Sequence, residues 1–135
     1  MLVLRRIAAV VAGFLLVLVG HTATDAALEA AGVFPPPGQP FEDPVLLSIA
    51  LGYRMAWQVA AGWLTAFIAP DHPMRHAMIL AGLGLSGAVA GAVMMWNVGP
   101  HWYPIALAVS VIPTLWLGAR LREWRLTRRA IPGSR

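Results

Sequence analysis

His21, Asp25 and Glu29 are spaced four residues apart in an apolar stretch, so on a helix three ionisable side chains share one face. Such a set can relay a proton or pair with a base. A base is at hand in "IALGYRMAWQVAAGWLTAFIA", Ile49 to Ala69, which carries Arg54 and, one turn further along the same face, Gln58. An arginine in hydrocarbon is costly and normally faces protein or a water-filled cavity. At about 1.5 Å per residue, Arg54 falls about 10 Å below one boundary of a bilayer, level with His21 and somewhat below Asp25. A snorkelling arginine can then reach Asp25 and form a bidentate, charge-assisted pair. Ser110 lies at a similar depth on the last apolar stretch, where Pro113 deprives the Val109 carbonyl of its helical partner. The sequence thus predicts an intramembrane polar cluster of His21, Asp25, Arg54, Gln58 and Ser110. Two readings of it remain open, a clamp that fixes helix register and a site for an anion or a relayed proton.

Other chemistries find fewer residues. His72 and His76 have the spacing of two ligands on one helix, but Pro73 between them disfavours a continuous helix there. His101 sits beside Gly99 and Pro100 with no second histidine placed to hold a haem across a bundle. Ser48, Ser86 and Ser110 have no His and acid at a shared depth, and no phosphate-cradling glycine motif is present. The absence of cysteine excludes thiolate metal sites and disulfide exchange. No catalytic residue, metal ligand or cofactor is expected.

The elements that must position these residues follow from composition. A chain of 135 residues that is 59% hydrophobic and 12% charged is too apolar for a soluble domain of this size. Four apolar stretches reach or approach the about 20 residues needed to cross about 30 Å of hydrocarbon. They run from Ile7 to Ala27, Val45 to Ala69, Ala77 to Trp96 and Tyr103 to Ala119. The expected fold is an all-α, four-transmembrane-helix bundle over residues 1–122, with a basic tail over 123–135.

All ten basic residues are arginines. Arg5 and Arg6 precede the first span, Arg75 lies between the second and third, and Arg120, Arg122, Arg125, Arg128 and Arg129 follow the fourth. The other two connections have no Lys or Arg, and the first of them holds Glu42 and Asp43. By the positive-inside rule both termini and the "PDHPMRH" turn are cytoplasmic. This placement argues for an inner (plasma) membrane protein with lipid as its main partner, not for nucleic acid. Arg5, Arg6 and "IAAVVAGFLLVLVG" also read as the start of a signal peptide, whose removal would leave three spans.

"GVFPPPGQPFEDP" holds five prolines and two glycines and cannot continue a helix. Its Phe34 and Phe41, with Trp96, Trp102 and Tyr103 of "WNVGPHWYP", suggest an interfacial aromatic belt, or else the lip of a ligand site. The tail "RLREWRLTRRAIPGSR" is a basic helix-like stretch suited to anionic lipid, ending in a disordered terminus. In the third span Gly84, Ala88 and Ala92 form one small-residue stripe and Gly87 with Gly91 a GxxxG pair. Such stripes permit close helix approach, so Gly84, Gly87 and Gly91 are expected to pack inside the chain or, alternatively, against a homodimer or another membrane protein.

"TDAALEAAGVFPPPGQP", "GYRMAW", "IAPDHPMRHA" and "WNVGPHWYP" together resemble a family of small four-span bacterial integral membrane proteins. The resemblance extends to about Leu121 and implies a four-helix inner-membrane protein; it brings no activity, cofactor or catalytic residue with it. Two functions are compatible with all of this. One is a non-enzymatic membrane component whose Arg54–Asp25 pair is structural. The other is a small transporter or proton-coupled carrier, dimeric because four short helices enclose little volume.

Overall fold

The computed structural model describes residues 1–130. The fold is all-α, a bundle of four helices each long and apolar enough to cross a membrane. They are α1 (Leu2–Ala30), α2 (Pro44–Ile68), α3 (Pro73–Met94) and α4 (Trp102–Ala130). The shortest, with 22 residues, is about 33 Å long, enough to span the hydrocarbon.

Local chemistry sets the helix ends. At Gly32, φ is +71°, and its N–H and that of Val33 donate back to the Glu29 and Leu28 carbonyls, closing α1 in a Schellman motif. Asp43 caps α2 by accepting from the N–H groups of Val45 and Leu46 at 2.8 and 3.1 Å, with Pro44 in the first turn, where no N–H is needed. Pro73 opens α3, so the break expected between His72 and His76 falls at the helix start. The last helix does not stop at the expected domain edge. It runs unbroken from Trp102 past residue 122, and the basic stretch up to Ala130 is its continuation. The remainder of the expected tail, 131–135, lies outside the described residues.

Helix α2 is central. It packs against each of the other three, most extensively against α4, whereas α1 and α4 do not pack against each other. The small-residue helix α3 leans chiefly on α4. Glycines elsewhere explain this. A Cβ on Gly62 would come within 2.2 Å of the Leu115 carbonyl, and one on Gly118 within 2.0 Å of the Val59 carbonyl. The backbones of α2 and α4 therefore touch at Gly62 and Gly118, the close approach that stabilises helix pairs in lipid. Leu80, Ala81, Val111, Leu115 and Ala61 form the apolar core around this crossing. Helix α1 joins the bundle where Gly13 meets Thr65 and Leu80.

The arginine-bearing segments lie at one end of the bundle. Arg6 is hydrogen-bonded and ion-paired to Asp71 in the α2–α3 turn, and the Arg122 guanidinium sits 4.9 Å over the Phe67 ring. The hydrogen bond from Arg6, more than its charge, holds the Asp71 carboxyl below its ordinary range. At the opposite end are the proline-rich loop and the α3–α4 connection.

Candidate functional site

Helix α1 presents a ladder of polar groups to α2. Arg54 Nη2 donates to Asp25 Oδ2 at 2.6 Å, and the Tyr53 hydroxyl donates to Asp25 Oδ1. With one carboxylate oxygen taken by Tyr53, the expected bidentate pair becomes a three-membered network in which Arg54 uses a single bond. His21 Nε2 lies 3.2 Å from the Arg54 carbonyl. A carbonyl only accepts, so Nε2 carries the proton. One turn along, Trp57 Nε1 donates to Thr24 Oγ1 at 3.0 Å while its ring covers Gly20, where a Cβ would meet it at 2.4 Å. The side chain of Glu29, on the same face by spacing, makes no hydrogen bond or ion pair among the described residues.

Tyr53, Trp57 and Thr24 were missed by sequence reasoning. Their signal was present in the i, i+4 spacing of Tyr53 with Trp57 and of Gly20 with Thr24, a bulky pair and a small pair that mesh.

Gln58 and Ser110 belong to a different contact. Gln58, 4% exposed, meets Thr114, whose Oγ1 lies 2.6 Å from Gln58 Oε1. Ser110 does not reach Arg54. Its hydroxyl turns back to the Leu107 carbonyl at 2.8 Å, and its own carbonyl lies 2.6 Å from Thr114 Oγ1. A short hydroxyl on a helix finds its nearest acceptor in the preceding turn, which removes Ser110 from the cluster. Val109, expected to offer a buried acceptor beside it, has a residue exposure of 70%. The single predicted cluster is thus two seams, one joining α1 to α2 and one joining α2 to α4.

Between the seams is space. A cavity of about 790 Å³ is lined by all four helices and by both loops of the proline-rich end. His21, Asp25, Arg54, Gln58 and Tyr103 supply its polar wall, and Leu80 and Leu115 lie at its deep end. The α3 stripe forms the facing wall. Gly84 does pack, with a Cβ 3.1 Å from Val111 Cγ1, but a Cβ on Gly87 or Gly91 would meet nothing within 4 Å. Gly87 and Gly91 thus make no close approach inside the chain and leave room there, while the alternative contact with a second molecule is not touched by this. Helices α1 and α3 touch near Gly13 and Leu80, and both line the cavity beyond that contact. The volume is a half-open cleft bordered by the four helices of one chain.

The chain matches no family model, no curated protein and no solved structure. What the site can do rests on its own geometry. Among the described residues no three His, Cys, Asp or Glu side chains gather as a metal site would require. Phe34 and Phe41 form no belt together, because Phe34 is 5% exposed and packs on Phe41 at 4.9 Å and on Tyr53 at 6.4 Å between ring centroids. Phe34 thus supports Tyr53 from the loop side. Tyr103 lines the cavity, whereas Trp96 and Trp102 are exposed. The chemistry on offer is binding: an apolar chamber with one hydrogen-bonding wall.

Proposed function

We propose that the protein is a non-enzymatic, multi-pass component of a bacterial inner membrane that binds a small, largely apolar molecule in the cavity between its helices. In this reading the Arg54–Asp25 network is the frame that joins α1 to α2, and the cavity is the functional part. The observation that carries it is the 790 Å³ cavity, which has contact with the Arg54 cluster on one side and with both proline-rich-end loops at its mouth. That volume lies in the range of about 300–1,000 Å³ typical of small-molecule sites. The gathering of arginines at one end supports cytoplasmic termini, with the cavity in the outer half. A carrier that moves its ligand across the membrane is the extension of this reading favoured by the cavity's polar wall.

The test is photo-crosslinking in reconstituted bilayers with a long-chain apolar diazirine probe. Labelling should saturate, map to cavity-lining residues such as Ala88, Ala92, Leu107 and Val111, and be displaced by excess unlabelled probe. Label confined to outward residues such as Val11 and Ile112, with no displacement, would sink the reading.

A further inference from the structure

The cavity's charges are already matched. Arg54 and Asp25 are paired one to one at 2.6 Å, and Tyr53 takes the other carboxylate oxygen. A carboxylate or phosphate head arriving there could take up the unbonded Arg54 Nε but would add a net charge to a pair that is already neutral, which is costly away from water. Besides Arg54 Nε, the unbonded polar groups on the wall are neutral. Gln58, 96% buried by residue, uses one amide atom on Thr114 and makes no other hydrogen bond among the described residues, yet it lines the cavity. Thr114 Oγ1 has one proton and stands 2.6 Å from two acceptors, Gln58 Oε1 and the Ser110 carbonyl. Turning the amide over would satisfy all three, with Nε2 donating to Thr114 and Oε1 left on the cavity side. In either orientation one amide atom is left without a partner on a side chain that lines the chamber. The Tyr103 hydroxyl, on the same lining, likewise makes no hydrogen bond among the described residues.

An uncharged head that both donates and accepts answers these two groups, and a hydroxyl does so whichever way the amide is turned. The rest of the lining calls for a chain. From Gly91 through Gly87 and Gly84 to Leu80 the α3 wall runs about 17 Å at about 1.5 Å per residue, faced by Phe14, Val17 and Val111. Resting on the cavity reading above, we infer that the occupant is a long-chain lipid with a neutral, hydroxyl-bearing head, of the monoacylglycerol or long-chain alcohol class. Gln58 and Tyr103 hold its head, and its chain lies along the Gly84–Gly91 lane.

The experiment is competition against the diazirine probe by monoolein and by oleate, which share one chain and differ in head charge at about pH 8. Monoolein is expected to displace the probe at concentrations about tenfold lower than oleate, the difference that one uncompensated interaction makes. Tyr103→Phe and Gln58→Met should each keep saturable labelling while narrowing that preference. Gly87→Leu, which fills open space, should leave the protein folded and abolish labelling of Ala88 and Ala92. Equal or better displacement by oleate, or a preference unchanged in both head-contact variants, overturns the inference while the cavity reading stands. Loss of saturable labelling in the unaltered protein removes the cavity reading itself.

Discussion

Asp25 is where the fewest atoms do the most. Both its oxygens are used, one by Tyr53 and one by Arg54, and the side chains of the ion pair are only 24% and 29% exposed. Asp25→Leu leaves a guanidinium and a phenol without their acceptor, whereas Arg54→Leu leaves a carboxylate that Tyr53 still serves. Breaking a buried pair from one side costs about 3–5 kcal/mol. Asp25→Leu is therefore expected to lower thermal stability in detergent more than Arg54→Leu, with the double variant recovering about 2 kcal/mol of the summed loss. Additive losses in that cycle would show that the two residues do not act as a pair. Recovery in the Tyr53→Phe background would be larger, since Arg54→Leu alone then leaves the Asp25 carboxylate without either of its donors.

At the scale of helices, the chain separates glycines that close space from glycines that keep it. Gly62 and Gly118 bring backbone against backbone, so an added methyl has no flexible neighbour to displace. Gly118→Ala should cost about 1–3 kcal/mol by forcing α2 and α4 apart. Gly87→Ala meets nothing and gains helix propensity of about 1 kcal/mol. Thermal melts of the two variants should shift in opposite directions. A shared loss would mean that α3 uses Gly87 for a contact, as its GxxxG spacing suggests. Because α4 continues to Ala130, Arg120, Arg122, Arg125, Arg128 and Arg129 all lie on one helix.

Across the whole molecule, the distribution of charge and of space is asymmetric. Arg6, Asp71, Arg75 and Arg122 gather at one end, and the cavity opens among the loops of the other. If the positive-inside rule orients this bundle, reporter fusions after Gly38 and after Arg129 should fall on opposite sides of the membrane. Reporters on the same side would overturn both the orientation and the placement of the cavity in the outer half.

The sequence by itself determined the class and the layout. Four apolar stretches, the proline breaks and the absence of Lys and Arg from two connections are one-dimensional signals, because hydrocarbon thickness and helix rise leave few alternatives. The depth count was enough to bring Asp25 to Arg54 for the same reason. Which helix lies at the centre was not legible, since Gly62, Gly87, Gly91 and Gly118 look alike in sequence and differ only in what faces them. Nor was the split of the polar cluster into two seams, because Ser110 and Thr114 are one turn apart on the same face of α4 and only the height of that helix against α2 chooses Thr114 for Gln58. Tertiary structure alone decided that α1 and α3 stand apart beyond Gly13 and Leu80. A cavity is a statement about what neighbours fail to fill, and a chain read residue by residue has no neighbours.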